Sequence, residues 1–90
     1  MIVSFDEIDK NCKIIDIRDN ISFSEYNIKN SLNVPKIKLL SDPSLYINKN
    51  EIVYIVCDEG KSSKSTANIL NKLGYKCYSI EGGIDSIKKQ

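Results

Sequence analysis

A parallel α/β fold is predicted for this 90-residue chain from three observations. Short β-branched runs recur and are separated by polar, helix-like segments, the pattern of βαβ units. One run, residues 52–56 (IVYIV), is nearly continuous in apolar side chains, as a strand buried on both faces requires. A glycine-bearing loop after it feeds directly into a helix-like segment, residues 62–73 (SSKSTANILNKL).

Taken in order, residues 2–3 (IV) are a minimal strand. Ser4-Phe5-Asp6-Glu7 follows as an S-x-x-E capping box, in which the serine and glutamate each satisfy a helix-start N–H. Residues 14–17 (IIDI) are the next strand, and Ser22-Phe23-Ser24-Glu25 is a second capping box. Residues 32–34 (LNV) are a weak strand. Pro35 and Pro43 punctuate a stretch, 36–46, expected to form a short helix and a loop. After strand 52–56, the segment 62–73 places Thr66, Ile69, Leu70 and Leu73 on one face. Gly74 stands where a helix stops. Residues 76–80 (KCYSI) are the last strand candidate.

Composition excludes several classes of function. Thirteen basic against twelve acidic residues give a net charge of +1, without a block of five like charges. This is neither a nucleic-acid footprint nor a basic membrane face. No apolar run approaches the ~18 residues of a membrane span, and MIVSFDEIDK is not a signal-peptide pattern. Three cysteines, no CxxC and no histidine argue against a disulfide framework and a zinc site. The expectation is a reduced, cytoplasmic, monomeric single domain spanning residues 1–90, without metal or organic cofactor. The absence of histidine also removes any Cys–His or Ser–His dyad within the chain, so a nucleophile must be activated another way.

Cys57 is that candidate. It lies between strand 52–56 and the helix expected near Ser62, at the carboxyl end of a strand, where α/β sheets bind ligands. Backbone N–H groups of such a loop, with the helix N-terminus, form an anion site without side chains. A helix N-terminus stabilises a thiolate by roughly 0.3–1 kcal/mol when exposed and up to ~2 kcal/mol when partly buried. N–H···S bonds and Lys61 add to this, while Asp58 and Glu59 oppose it. A buried cysteine ending a strand is the alternative reading. Cys12 and Cys77 are read as structural, Cys77 in the core and Cys12 partly exposed.

The chain resembles the rhodanese-like family along nearly its whole length. Residues 15–18 (IDIR), Phe23, Tyr26 and 28–35 (IKNSLNVP) are similar to its D-x-R … F … [FY] … I-x-x-A-x-N-[VI]-P run. The segment 53–63 (VYIVCDEGKSS) resembles its active-site C-x-x-G-x-[RS]-S, while 73–75 (LGY) and 81–83 (EGG) match two later landmarks. The resemblance implies a three-layer fold: a five-stranded, mostly parallel sheet flanked by helices on both sides. It also implies an enzyme, a sulfurtransferase in which Cys57 takes sulfane sulfur as a persulfide. The donor would be thiosulfate or a persulfide, on a protein or a small molecule, and the acceptor a thiol or a cyanide-like nucleophile.

In that reading the N–H groups of Asp58, Glu59, Gly60, Lys61 and Ser62 hold the extra sulfur in a shallow, open bowl, with Gly60 at positive φ. Arg18 sits on its rim, either as a cation for the donor anion or in an ion pair with Glu25. Asp16 is structural. Ser62 and Ser63 either donate hydroxyls to the site or cap the helix, and Lys61 either attracts an anion or is simply solvated. The loop from Cys57 to Ser62 holds six residues and lacks the arginine of phosphatase and arsenate-reductase loops, which favours sulfur over phosphate. Three departures stand out: Tyr26-Asn27 where the family has Gly-His, Ile84 and Ile87 where it has aromatics, and the acidic pair Asp58-Glu59. That pair favours the rival, a non-catalytic interaction or redox-sensing module of the same fold.

Overall fold

The computed structural model describes residues 1–89. Five strands are present: β1 (Ile2–Val3), β2 (Lys13–Asp16), β3 (Leu32–Asn33), β4 (Ile52–Val56) and β5 (Lys76–Ile80). The helices are α1 (Asn20–Glu25), α2 (Lys36–Ser41), α3 (Lys61–Lys72) and α4 (Gly83–Lys88), with 3-10 turns at Phe5–Glu7 and Pro43–Leu45. The strands form one sheet in the order β1-β5-β4-β2-β3, and all four pairings are parallel. The expected fold class is therefore the observed one, with no antiparallel edge among the described residues.

The period of 2 along each strand divides the interior into two cores. Ile15, Ile17, Val53, Ile55 and Cys77 face one side, where Leu39 of α2 and Ala67 and Leu70 of α3 cover them. Ile14, Tyr54, Val56 and Ile80 face the other, covered by Ile28, Ile8 and, from α4, Ile84 and Ile87. At about 25 cal/mol per Å2 of apolar surface, such burial is the main force holding the layers.

Local signals decide the element ends. Ser4 and Glu7 form the expected capping box, with Ser4 Oγ accepting the Asp6 N–H and Glu7 Oε1 accepting the Ser4 N–H, although the turn they start is 3-10. The second box does not form. Asp19 is the N-cap of α1 and accepts the Ser22 N–H at 2.8 Å, so Ser22 lies inside the helix. A carboxylate three residues upstream outcompetes the serine, and the same bond holds the Asp19 carboxyl below its usual range despite partial desolvation. Helix α3 ends in a Schellman motif: Gly74 at φ +99° donates to the Asn71 carbonyl, and Tyr75 to that of Leu70, each at 3.0 Å.

The buried face of α3 differs from the expected one. It is Ser63, Thr66, Ala67 and Leu70, whereas Ile69 and Leu73 are exposed. The i, i+3, i+4, i+7 spacing is kept but starts at Ser63. Small residues on that face let the helix settle close to β4 and β5, which leaves the two large apolar side chains outside.

Candidate active site

Strand β4 delivers Cys57 by alternation: Val53, Ile55 and Cys57 share the α3-facing core. The residue is 5% exposed, so its sulfur lies at the base of the loop rather than at its surface. Two backbone N–H groups donate to Sγ, from Gly60 and Ser63, each at 3.2 Å. The Ser63 hydroxyl lies 3.3 Å from the same sulfur. Gly60 is the N-cap of the twelve-residue α3, at φ +97°, which a non-glycine residue adopts only under strain. A Cβ there would also meet the Gly82 nitrogen at 3.0 Å. The sulfur thus sits against the positive end of a helix with two N–H groups aimed at it.

Helix α4 sets the orientation of the rest of the loop. Its Ile84 N–H donates to the Cys57 carbonyl at 2.8 Å, and its Asp85 N–H to the Asp58 carbonyl at 2.9 Å. In a trans peptide the N–H points opposite to the C=O. Held by their carbonyls, the peptide units 57–58 and 58–59 therefore direct the N–H groups of Asp58 and Glu59 away from α4. Contact this close requires Gly83, where an added Cβ would lie 2.4 Å from the Cys57 carbonyl oxygen and 2.5 Å from that of Asp58. The two glycines of 81–83 are thus a clamp on the loop.

Cys57, Asp58, Glu59, Lys61 and Ser62 line a cavity of about 170 Å3. Every loop residue singled out in the sequence is in this place except Gly60, which shapes the loop and donates to the sulfur from below. Asp58, Glu59 and Lys61 are exposed and Ser62 half-buried. No N–H of Asp58, Glu59, Lys61 or Ser62 bonds the resting sulfur. Its second backbone donor is Ser63, one residue beyond the expected ring.

Arg18 lies beside the cavity-lining Asp58 and pairs with Asp16 rather than with Glu25. It is 7% exposed and makes a fork with Asp16: Nε to Oδ1 at 3.0 Å and Nη2 to Oδ2 at 2.9 Å. Nη2 also donates to the Tyr26 carbonyl, at 2.6 Å. Its remaining nitrogen, Nη1, lies 3.6 Å from Asp58 Oδ1. The hydrogen bonds to Asp16 hold the guanidinium pKa above its ordinary value against the opposing effect of burial, and the charges of Asp16 and Asp58 add to this. Asp16, fully buried, takes the structural role expected of it. Asn33 closes the corner by donating to the carbonyls of Asp16 and Arg18. Glu25 failed as a partner because a carboxylate two residues away on the same strand end presents a better fork.

The other thiols are placed as expected. Cys77 is fully buried, and burial, with the charge of Glu51, pushes its thiol up to about 11. Cys12 is half-buried, and desolvation together with Asp9 pushes its thiol up as well.

Comparison with known proteins agrees with this architecture. The family model of the rhodanese-like domain matches residues 5–90. The chain belongs to the rhodanese-like family. It is 37% identical over 76 residues to the thiosulfate sulfurtransferase GlpE of Coxiella burnetii, covering 83% of this chain and 70% of that protein. It is 27% identical over 78 residues to the adenylyltransferase and sulfurtransferase uba4 of Ogataea parapolymorpha, covering 86% of this chain but only 20% of that protein. Among solved structures, a rhodanese-like domain protein from Staphylococcus aureus superposes with a TM-score of 0.81 at 30% identity, over 92% of this chain and 86% of that one. At the level of the rhodanese-like family, the activity is sulfur transfer.

Three contributors to the rhodanese-like site are wholly or partly missed by the sequence reading. Ser63 was weighed only as a hydroxyl donor or a cap, and it supplies a backbone N–H as well. Gly83 carried a landmark but not its reason, which is the approach of α4 to the loop. Ser79 lies on β5, and nothing in its own neighbourhood marks it: its hydroxyl meets that of Ser63 at 2.7 Å only in the folded chain.

Proposed function

We propose that this chain is a sulfurtransferase in which Cys57 carries sulfur as a persulfide. The Cys57 thiolate attacks the sulfane sulfur of a donor such as thiosulfate. A new S–S bond forms, the donor's S–S bond breaks, and sulfite leaves with the electron pair. A nucleophilic acceptor, a thiolate or cyanide, then attacks the outer sulfur and returns the Cys57 thiolate. No metal or organic cofactor enters this cycle.

The observation that carries the reading is the sulfur held by the Gly60 and Ser63 N–H groups at a helix N-terminus, beneath a cavity of about 170 Å3. Preorganised donors hold anionic sulfur without reorganising during transfer. The outer sulfur of the persulfide would occupy that cavity, where the N–H groups turned away from α4 are available to it.

A second reading, an interaction or redox-sensing module of the same fold, is favoured by the 5% exposure of Cys57. Mass spectrometry after incubation with thiosulfate or a low-molecular-weight persulfide separates the two. Sulfur transfer gives an adduct of about 32 Da, one sulfur, on Cys57. It is absent from Cys57→Ser and is discharged by cyanide with release of thiocyanate. An unloaded Cys57 with both donors, or one that loads but does not discharge to any nucleophile, would favour the module.

A further inference from the structure

Resting on the reading of Cys57 as nucleophile, we infer that Ser79 is a positioning residue for it: from β5, its hydroxyl orients the Ser63 hydroxyl toward the Cys57 sulfur. Ser79 shares the β5 face of Cys77, and both are buried, at 1% and 0% exposure. An apolar β-branched side chain would suit such a place, and a serine there needs a partner for its hydroxyl. It has one. Ser79 Oγ lies 2.7 Å from Ser63 Oγ, itself fully buried, and makes no other side-chain hydrogen bond among the described residues.

Counting hydrogens assigns the direction. The single Ser79 hydrogen has only Ser63 Oγ to point to, so Ser79 donates. The Ser63 hydrogen is then left with two acceptors, the Gly60 carbonyl and Cys57 Sγ, both 3.3 Å from Ser63 Oγ. With the thiol protonated, S–H donates to Ser63, and Ser63 donates to the Gly60 carbonyl. Once the thiol ionises, the Ser63 hydrogen turns to the sulfur, since a charged acceptor makes the stronger bond. The thiolate then receives three donors: two N–H groups and one O–H. Ser79 donates in both states, polarises the Ser63 O–H and loses no proton itself.

The test is alkylation by iodoacetamide from pH 5 to 10, with each cysteine followed separately by mass spectrometry. In the unmodified chain Cys57 outpaces Cys12 at neutral pH. In Ser79→Ala the Cys57 rate at pH 7 falls about three- to tenfold, the scale of one hydrogen bond. The midpoint of its pH–rate profile moves up, while the high-pH plateau is not reduced, because a less stabilised thiolate is the better nucleophile. Ser63→Ala shifts the profile at least as far, and the double variant matches Ser63→Ala, since Ser79 acts only through Ser63. Should Ser79→Ala fail to fold, Ser79→Thr and Ser79→Val, alike in shape, read the same effect: only the threonine keeps the native profile. The inference is overturned if Ser79→Ala, or Val beside Thr, superimposes on the native profile while Ser63→Ala is shifted, or if the two serine effects add. If Cys57 in the unmodified chain reacts no faster than Cys12, the assignment of the nucleophile fails first, and this inference with it.

Discussion

Asp58 and Glu59 are adjacent carboxylates at the mouth of one cavity, yet they are not equivalent. Asp58, though 65% exposed, lies 3.6 Å from Arg18 Nη1, whereas Glu59 has no cationic partner among the described residues. An unpaired carboxylate ~6 Å from a bound anion repels it by roughly 0.7–3 kcal/mol at an effective dielectric of ~20–80. On the proposed function, Glu59 would be the main electrostatic barrier to a dianionic donor. Glu59→Gln should lower the KM for thiosulfate about threefold to a hundredfold at low ionic strength, and Asp58→Asn by less. Both effects should shrink in high salt, where screening shortens the reach of exposed charges. Steady-state kinetics at two salt concentrations checks this. Equal effects of the two substitutions, or no dependence on salt, would remove the distinction.

Between α4 and the loop after β4 the backbones come too close for a Cβ, and this makes a prediction about the pair of elements. Gly83→Ala places a side chain at φ +62° and against two carbonyl oxygens. The positive φ alone costs about 1–3 kcal/mol, which for a domain of this size lowers Tm by roughly 5–20 °C. Gly74→Ala is the matched control, since it carries a similar positive φ but meets only the flexible Lys49 side chain, at 3.4 Å. Thermal melts should show losses in both variants, whereas sulfur loading of Cys57 should fail only in Gly83→Ala. Equal loading by the two would mean that the clamp does not shape the site. Elements of this kind also show what a sequence can and cannot reveal. Strands β2, β4 and β5, the stop at Gly74 and the turn at Gly60 were legible because each depends on residues adjacent in the chain. Ser63 to Ser79, Arg18 to Asp58 and Gly83 to Cys57 were not, because those pairs, distant in the chain, meet only when the elements pack. The α1 cap was misplaced for a local reason: two acceptors competed, and Asp19 is the stronger.

For the molecule as a whole, the sheet order places β4 at the centre and two-residue strands at both edges. At the β1 edge, the Met1 carbonyl accepts the Ser79 N–H and the Val3 carbonyl the Glu81 N–H, immediately before the glycine clamp. Edge strand β3 ends at Asn33, which ties the carbonyls of Asp16 and Arg18. Both supports of the site therefore hang on the shortest strands, while the strand that carries Cys57 is paired on both sides. Native proteins open locally from their least contacted segments at free energies well below global unfolding. Sulfur-transfer activity should accordingly vanish at lower urea than the far-ultraviolet circular dichroism signal, with a recoverable window between the two midpoints. Coincident midpoints would contradict this. In such a chain, catalytic competence would be the first property lost under stress and the last regained. A mild perturbation would then switch the protein off while sparing the fold from which activity returns.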